Sequence, residues 1–329
     1  MLTLSDFVHL PFTPDLTETG NLYACRCLAL DLAQASNLDL APLRRLSAEI
    51  AADLSLRRYF AQEHISIKFL DASPFTHPDR NEIILGGRPC HVLNASMARK
   101  AHIDHIKDDP AVLLAAPACV PSAALASESW GYQDLLIFTF TLAVPKLARE
   151  ASGKGRAVGN ADFYIYILPG SWRKARMNGA FTDLTLQNAS NDEVTLELGG
   201  QTANRDFLRL ELLLPSRQSG IAAQGFTRLA YILTHHVPTA TISVFDQKNK
   251  RALHITPDRW GNLGVDGVEI ILAGYLEVGE FRRRASRLRP SAHHWVFDHT
   301  SSPYLSIPIQ ELLPLPGLVA WLRSLQGSS

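Results

Sequence analysis

The amino-acid sequence predicts an α+β protein, with an α/β N-terminal half and an antiparallel β-rich C-terminal half. Apolar residues recur at three- and four-residue spacing between residues 21 and 63, which predicts helices. The run at 134–144 is apolar almost throughout and rich in Ile, Phe and Thr, which is typical of a buried strand. From about residue 175, short apolar segments alternate with turn residues, which predicts a sandwich or barrel. We therefore divide the chain into residues 1–172 and 173–329.

The N-terminal half is predicted to run helix, strand, hairpin, helix, buried strand. Residues 1–20 read as an arm because Pro11 and Pro14 interrupt them, and Asn37 and Asp39 interrupt the helical region that follows. The later elements are a strand at 64–70, a hairpin at 82–93, a helix at 95–116, and strands at 134–144 and 163–168.

The hairpin has the strongest local signal of the chain. Gly86 and Gly87 stand between two short apolar segments, and a two-residue glycine link supplies the positive φ that a tight hairpin turn requires.

The C-terminal half is predicted to hold about seven to nine strands. Turn residues such as SNDE and DQKNK separate the apolar runs. The predicted strands are 183–187, 193–198, 207–214, 228–234, 239–245, 252–256 and 268–275, with helices at 278–288 and 316–325.

Composition narrows the class of protein. Lys plus Arg and Asp plus Glu are both 32, so the net charge is zero, which argues against a general nucleic-acid coat but permits a local basic groove. The four cysteines form no CxxC pattern, so we expect a reducing compartment and no disulfide framework. No signal peptide or membrane span is evident, and we expect a soluble cytoplasmic protein.

Residues from about 47 to 140 resemble the PD-(D/E)XK (restriction-endonuclease-like) nuclease superfamily. The resemblance rests on the order of elements and on the acidic residues before the hairpin. It implies Glu49 as the helix glutamate, Asp79 or Glu82 as the acid of the second strand, and His91-Val92-Leu93 in place of the D/E-x-K triplet.

In that family carboxylates hold one or two Mg²⁺ ions, and a lysine steadies the nucleophile or the developing charge. The resemblance therefore implies Mg²⁺ held by Asp79, Glu82 and His91 if the protein is catalytic. Here a histidine stands at the carboxylate position and Leu93 at the lysine position, so we expect a degraded active site unless Lys100 or Lys107 substitutes.

Basic residues form two groups that predict contact with DNA or RNA phosphates. Arginine binds phosphate through two parallel hydrogen bonds, and five arginines fall within eight positions near residue 285. The predicted nucleic-acid-binding residues are Arg173, Lys174, Arg176, Arg282, Arg283, Arg284, Arg287 and Arg289.

Two histidine groups are weaker candidates for Zn²⁺ or another transition metal. His102 and His105 share a helix face at i,i+3 spacing. The second group comprises His293, His294, Asp298 and His299, which strand alternation divides between two faces.

The sequence therefore predicts a nucleic-acid-associated protein that acts in a DNA- or RNA-processing or defence-type assembly. If it cleaves, it is a metal-dependent phosphodiesterase. The alternative is a non-catalytic protein whose β-rich half binds a partner protein or a carbohydrate, with Trp172 and the Trp260 loop as contacts. For the loop at 258–267 itself, we favour a long β-connection with Trp260 packed as a plug over a binding loop. A protein partner or a second copy of the chain is also a candidate partner.

Overall fold

The structure, a computed structural model, describes residues 1–30, 40–69, 83–126, 130–146, 163–172, 181, 184–222, 225–288 and 303–327. Elements are numbered in chain order. The helices are α1 (Pro14–Leu30), α2 (Ala41–Gln62), α3 (Lys100–Asp108), α4 (Val112–Ala115), α5 (Ser122–Ala126), α6 (Val278–Arg284) and α7 (Leu315–Gln326).

A six-stranded mixed sheet organises the first half of the molecule. Its central strands are parallel to each other, and its other pairs are antiparallel. In pairing order the strands are β1 (Val8–Pro11), β16 (Val265–Glu277), β6 (Leu135–Pro145), β4 (Arg88–Met97), β3 (Ile83–Leu85) and β2 (Lys68–Phe69).

The mixed sheet is covered on both faces, which explains why β6 is apolar almost throughout. Helices α1, α2 and α7 pack on one face, against a core that includes Leu56, Phe60 and Ile137. On the other face, α3, α6 and a small three-stranded sheet bury Phe138 and Phe281. That small sheet comprises β17 (Ser286–Arg287), β18 (Tyr304–Pro308) and β5 (Pro117–Pro121).

A β-sandwich forms the second half of the fold. All of its strand pairs are antiparallel, and its two sheets enclose a core that includes Trp172, Leu198 and Trp260. The five-stranded sheet is β10 (Phe207–Leu214), β9 (Val194–Gln201), β12 (Arg228–Thr234), β7 (Tyr164–Ile167) and β15 (Gly261–Asn262); the four-stranded sheet is β11 (Ser219–Ala222), β8 (Leu184–Asn188), β13 (Ile242–Asp246) and β14 (Arg251–Ile255).

The sandwich is inserted between two neighbouring strands of the mixed sheet. β6 ends at Pro145 and its antiparallel neighbour β16 begins at Val265. The backbone N–H of Lys146 donates to the carbonyl of Gly264 at 2.9 Å, so the two ends of the inserted segment lie side by side.

The predicted mixture of an α/β half and an antiparallel β-rich half is confirmed, with a sandwich rather than a closed barrel as the second half. The predicted order of helix, strand, hairpin, helix and buried strand is also present, as α2, β2, β3–β4, α3 and β6. Gly86 and Gly87 have φ of 57° and 83°, so the hairpin turn uses them as expected.

Several predicted elements differ in extent or in partner. The helix expected at 95–116 is instead the end of β4, which continues to Met97, followed by two shorter helices because Pro110 cannot continue the first. The strand predicted at 268–275 belongs to the mixed sheet, and the one at 163–168 belongs to the sandwich. Apolar alternation identifies a strand but not its neighbour, so these two assignments were not available from the sequence.

The ends of two other predicted elements are also corrected. The expected arm at 1–20 holds β1 and the first turns of α1, which begins at Pro14, a favoured first helical residue. The helix predicted at 278–288 ends at Arg284, and Ser286–Arg287 form a strand.

Candidate functional site

The strand β4 carries the residues that the sequence placed in the catalytic triplet. It lies in the interior of the mixed sheet, paired along Cys90–Met97 with the fully buried β6. Side chains alternate between the two faces along a strand, so His91 and Leu93 point to the face away from α2. Leu93 accordingly packs on the core that contains Phe138.

His91 is held in a buried contact with Asp134, the residue before β6. The Nε2 atom of His91 lies 3.1 Å from Oδ2 of Asp134, and the backbone N–H of Gly131 donates to the same oxygen at 2.8 Å. The His91 and Asp134 residues are 8% and 6% exposed. The imidazole also stacks on Trp130, with ring centroids 4.1 Å apart and an interplanar angle of 15°. These contacts fix the orientation of the ring.

A cleft of about 180 Å³ lies beside this strand. Its lining takes Glu49 and Thr139 from the α2 side of the sheet and Leu93 and Phe138 from the opposite side. The predicted helix glutamate and the predicted lysine position therefore line one cleft, which sequence separation alone did not guarantee. His91 is not part of that lining.

Polar side chains also meet in the middle of the two central strands. The Oδ1 atom of Asn94 accepts hydrogen bonds from the hydroxyls of Thr139 at 3.0 Å and Thr141 at 2.9 Å. The Nδ2 atom of Asn94 donates to Oγ of Ser96 at 3.2 Å. Asn94 also lines the cleft, so this network forms part of the wall that Glu49 faces.

Four of the predicted nucleic-acid-binding arginines lie together on and just after α6. We call Arg282, Arg283, Arg284 and Arg287 the arginine surface. Arg283, Arg284 and Arg287 are exposed, and Arg282 is half-buried. Two of them have acidic partners, since Arg283 pairs with Glu280 and Arg284 lies 2.6 Å from Glu311.

Trp130 connects the arginine surface to β4. Its ring stacks on His91, and its backbone carbonyl accepts a hydrogen bond from Arg282 at 3.3 Å. Arg282 also donates to the carbonyl of Leu125 at 2.7 Å, and its guanidinium lies over the ring of Tyr132 at 5.1 Å. Tyr132 is 71% exposed. His91 and Arg282, almost 200 positions apart in the sequence, thus both contact one residue, Trp130.

Some predicted site residues lie outside the described residues. These are the acids Asp79 and Glu82, the basic residues Arg173, Lys174, Arg176 and Arg289, and the second histidine group, His293, His294, Asp298 and His299. Their roles stay predictions.

Of the three predicted magnesium ligands, only His91 lies within the described residues. No group of three or more His, Cys, Asp or Glu side chains in the described ranges is placed to hold a metal, and this includes His102 and His105 on α3. Mg²⁺ prefers oxygen ligands, whereas His91 offers a nitrogen that already lies against Asp134. No step through a metal can be derived from these residues.

The buried cysteines are not nucleophiles. Burial raises the pKa of Cys25 and of Cys90, and it raises the pKa of Cys119 to about 12. All three thiols are therefore protonated at neutral pH, while the thiolate is the reactive form.

The tryptophans that the alternative function required are not available for binding. Trp260 is 2% exposed and Trp172 is 4% exposed, and both belong to the sandwich core. Trp260 packs against Tyr166, and Trp172 lies under the guanidinium of Arg251. This burial contradicts a binding surface formed by Trp172 and Trp260, and it confirms the favoured interpretation of Trp260 as a packed plug.

Sequence reasoning missed the residues that join this region. Trp130 and Tyr132 flank Gly131 in the short link before β6, and Asp134 closes that link. Two aromatic residues in a short polar link were the available signal. Their contact with His91 and Arg282 required the pairing of β4 with β6 and of β6 with β16.

Comparisons with protein-family models, with curated protein sequences and with solved structures find no match to this chain. Within the described residues, no helix is long and apolar enough to cross a membrane.

Proposed function

We propose that the protein binds single-stranded nucleic acid through the arginine surface and Tyr132, and does not cleave it. The observation that carries the proposal is the double contact of Trp130, with His91 on one side and Arg282 on the other. It makes the basic surface and the strand of the nuclease-like triplet one continuous region.

The side chains of this region suit the two chemical parts of a nucleotide. The Arg283 side chain is 71% exposed and Arg287 is exposed, so both guanidinium groups can meet phosphate oxygens. The exposed ring of Tyr132 provides a face on which a base can stack, and Arg282 beneath it holds that ring in place. Stacking on an open aromatic face requires an unpaired base, which favours a single strand over a duplex.

The order α2, β2, β3, β4, α3, β6 supports the resemblance to the PD-(D/E)XK superfamily, since it is the order on which that resemblance was drawn. The apolar Leu93 at the lysine position favours binding without cleavage, because leucine cannot carry the positive charge that steadies the nucleophile. We propose that the domain retains the frame of a nuclease and serves as a binding module. The larger assembly in which it acts stays a prediction.

The test is a binding and cleavage assay with labelled single-stranded DNA, single-stranded RNA and duplex DNA. Fluorescence anisotropy is followed from about 50 to 200 mM salt, with arms in Mg²⁺, Mn²⁺ and EDTA. We expect binding that weakens with salt, is unchanged by EDTA and leaves the strand intact. The double variant Arg283→Glu/Arg287→Glu should bind at least about tenfold more weakly and lower the salt slope by about two.

Lys248→Glu/Lys250→Glu is the matched control, because it makes the same charge change at exposed positions on the sandwich. Equal weakening by both double variants would reject the arginine surface as the binding site. Cleavage that EDTA abolishes would reject a non-cleaving module. Absence of binding at low salt would overturn the nucleic-acid function altogether.

A further inference from the structure

The outer strand of the five-stranded sheet has an open edge. β10 pairs along its full eight residues with β9, and among the described residues no strand pairs with its other edge. Proteins usually protect such an edge with proline, like charges, a bulge or a short strand. β10 contains no proline, pairs without a register shift, and carries one arginine and one glutamate of opposite sign.

Apolar groups around this edge are incompletely covered. The inward leucines of β10, Leu208, Leu210 and Leu212, are only half-buried against the sandwich core. On the outward face Leu213 is 58% exposed, and Ile221 on the adjacent edge strand β11 is 81% exposed. β11 packs against β10, so these side chains lie along one side of the sandwich.

We propose that a second copy of the chain pairs with this edge, so that two β10 strands run antiparallel across a two-fold axis at Leu210. The sequence of the strand supplies the complementarity. With Leu210 opposite its own copy, Arg209 faces Glu211 of the other chain and Glu211 faces its Arg209. Leu208 faces Leu212 in the same register, and Phe207 faces the exposed Leu213.

This geometry closes on itself. A two-fold arrangement uses the same edge on both copies, so the β10 edge of neither copy stays open, and the pairing gives a dimer rather than a fibre. Both charges lie on the outward face, since Arg209 and Glu211 are exposed while the leucines between them point inward. The inference does not depend on nucleic-acid binding.

The test is the mass of the full chain in solution, by light scattering after size exclusion and by sedimentation velocity over a concentration series. We expect a species of twice the 36.3 kDa of one chain. The variant Glu211→Arg places like charges opposite each other twice, so its dimer dissociation constant should rise about tenfold or more.

The double variant Arg209→Glu/Glu211→Arg is the control that separates pairing from folding. It exchanges the two charges, so each again faces an opposite charge on the other copy, and the arginine that replaces Glu211 lies directly opposite Glu197 on β9. We expect the double variant to be dimeric again, with circular dichroism unchanged in both variants. A monomer at every concentration would overturn the proposal and leave the edge to a different strand. The proposal would also be overturned if Glu211→Arg did not weaken the dimer, or if the double variant did not restore it.

Discussion

The mixed sheet and the sandwich place their buried polar side chains at different points along their strands. In the mixed sheet, the buried Thr139 and Thr141 meet the half-buried Asn94 in the middle of the two central strands. In the sandwich most of them stand at strand ends, as Asn188 does at the end of β8 and Asp246 at the end of β13.

The strand-end groups of the sandwich have a structural task. The Nδ2 atom of Asn188 donates to the carbonyls of Asp192, Leu214 and Pro215, and so joins two turns. Asp246 accepts from Arg251 across its hairpin. Buried turn carbonyls need such partners, whereas a mid-strand Asn–Thr network satisfies only itself. We therefore expect the strand-end groups of the sandwich to contribute more to stability than the mid-strand network does.

The largest effect should come from breaking a strand-end group. Asp246 and Arg251 have side chains that are 2% and 11% exposed, so Asp246→Ala leaves a buried guanidinium without its charge partner. We expect the free energy of unfolding to fall by about 3–5 kcal/mol, measured by urea denaturation, with faster hydrogen exchange in β13 and β14. The matched control is Asp15→Ala, which removes an exposed partner of Arg58 and should cost at most about 1 kcal/mol. Equal costs would contradict the structural role of Asp246.

The Asp246 carboxylate should also make the stability of the sandwich depend on pH. Burial acts to raise the pKa of Asp246, but hydrogen bonds from Arg251 and Asn249 outweigh it and hold the pKa below its ordinary value of 3.8. The folded state therefore favours the ionised carboxylate, and its contribution to stability is present above pH 4 and lost as pH falls through the lowered pKa. Urea denaturation of the wild type and Asp246→Asn should differ at pH 5 and converge toward pH 2. A constant difference would show that ionisation of Asp246 does not contribute.

Breaking the mid-strand network of Asn94, Thr139 and Thr141 should have a smaller effect on stability. Asn94→Leu leaves the hydroxyls of Thr139 and Thr141 without their acceptor and should cost about 1–3 kcal/mol. The triple variant Asn94→Leu/Thr139→Val/Thr141→Val removes the donor and the acceptor of each hydrogen bond. Its free energy of unfolding should lie within about 1 kcal/mol of the wild-type value. The measurement is urea denaturation of both proteins. A triple variant as unstable as the single one would mean that the network is itself structural.

The smallest effect should be at Tyr132. Tyr132 is 71% exposed, so Tyr132→Ala should change the free energy of unfolding by no more than about 0.5 kcal/mol. The same variant should bind single-stranded nucleic acid about tenfold more weakly, because one base loses its stacking partner. Stability is measured by thermal denaturation and binding by fluorescence anisotropy, both on the same preparation of the variant. A large loss of stability would assign Tyr132 to the fold instead.

Local signals in the sequence predicted the local structure well. Gly86 and Gly87 adopt the positive φ that the hairpin required, and the apolar run at 134–144 is the buried β6. Pairing between distant segments was not predictable in the same way. β16 carries the same apolar alternation as the sandwich strands, and only its neighbours β6 and β1 assign it to the mixed sheet.

The residues of the candidate site show the same difference between local signals and contacts of distant segments. A resemblance supplied the positions of Glu49 and Leu93, and both line one cleft, while their roles stay predictions. The contact of His91 with Asp134 joins residues 43 positions apart, and no periodicity encodes it. Trp172 shows the opposite error, since it was expected as a binding contact and instead fills a core, whereas the packing of Trp260 is the interpretation that the sequence favoured.

The insertion of the sandwich between β6 and β16 has a consequence for synthesis of the chain. A ribosome that adds roughly 5–20 residues per second leaves an interval on the order of ten seconds between completion of β6 and emergence of its neighbour. During that interval the sandwich segment can fold by itself, while one edge of an almost wholly apolar strand waits unpaired. The first half of the chain is thus made first and completed last, because β6 obtains its neighbour β16 only after the whole sandwich segment has been synthesised.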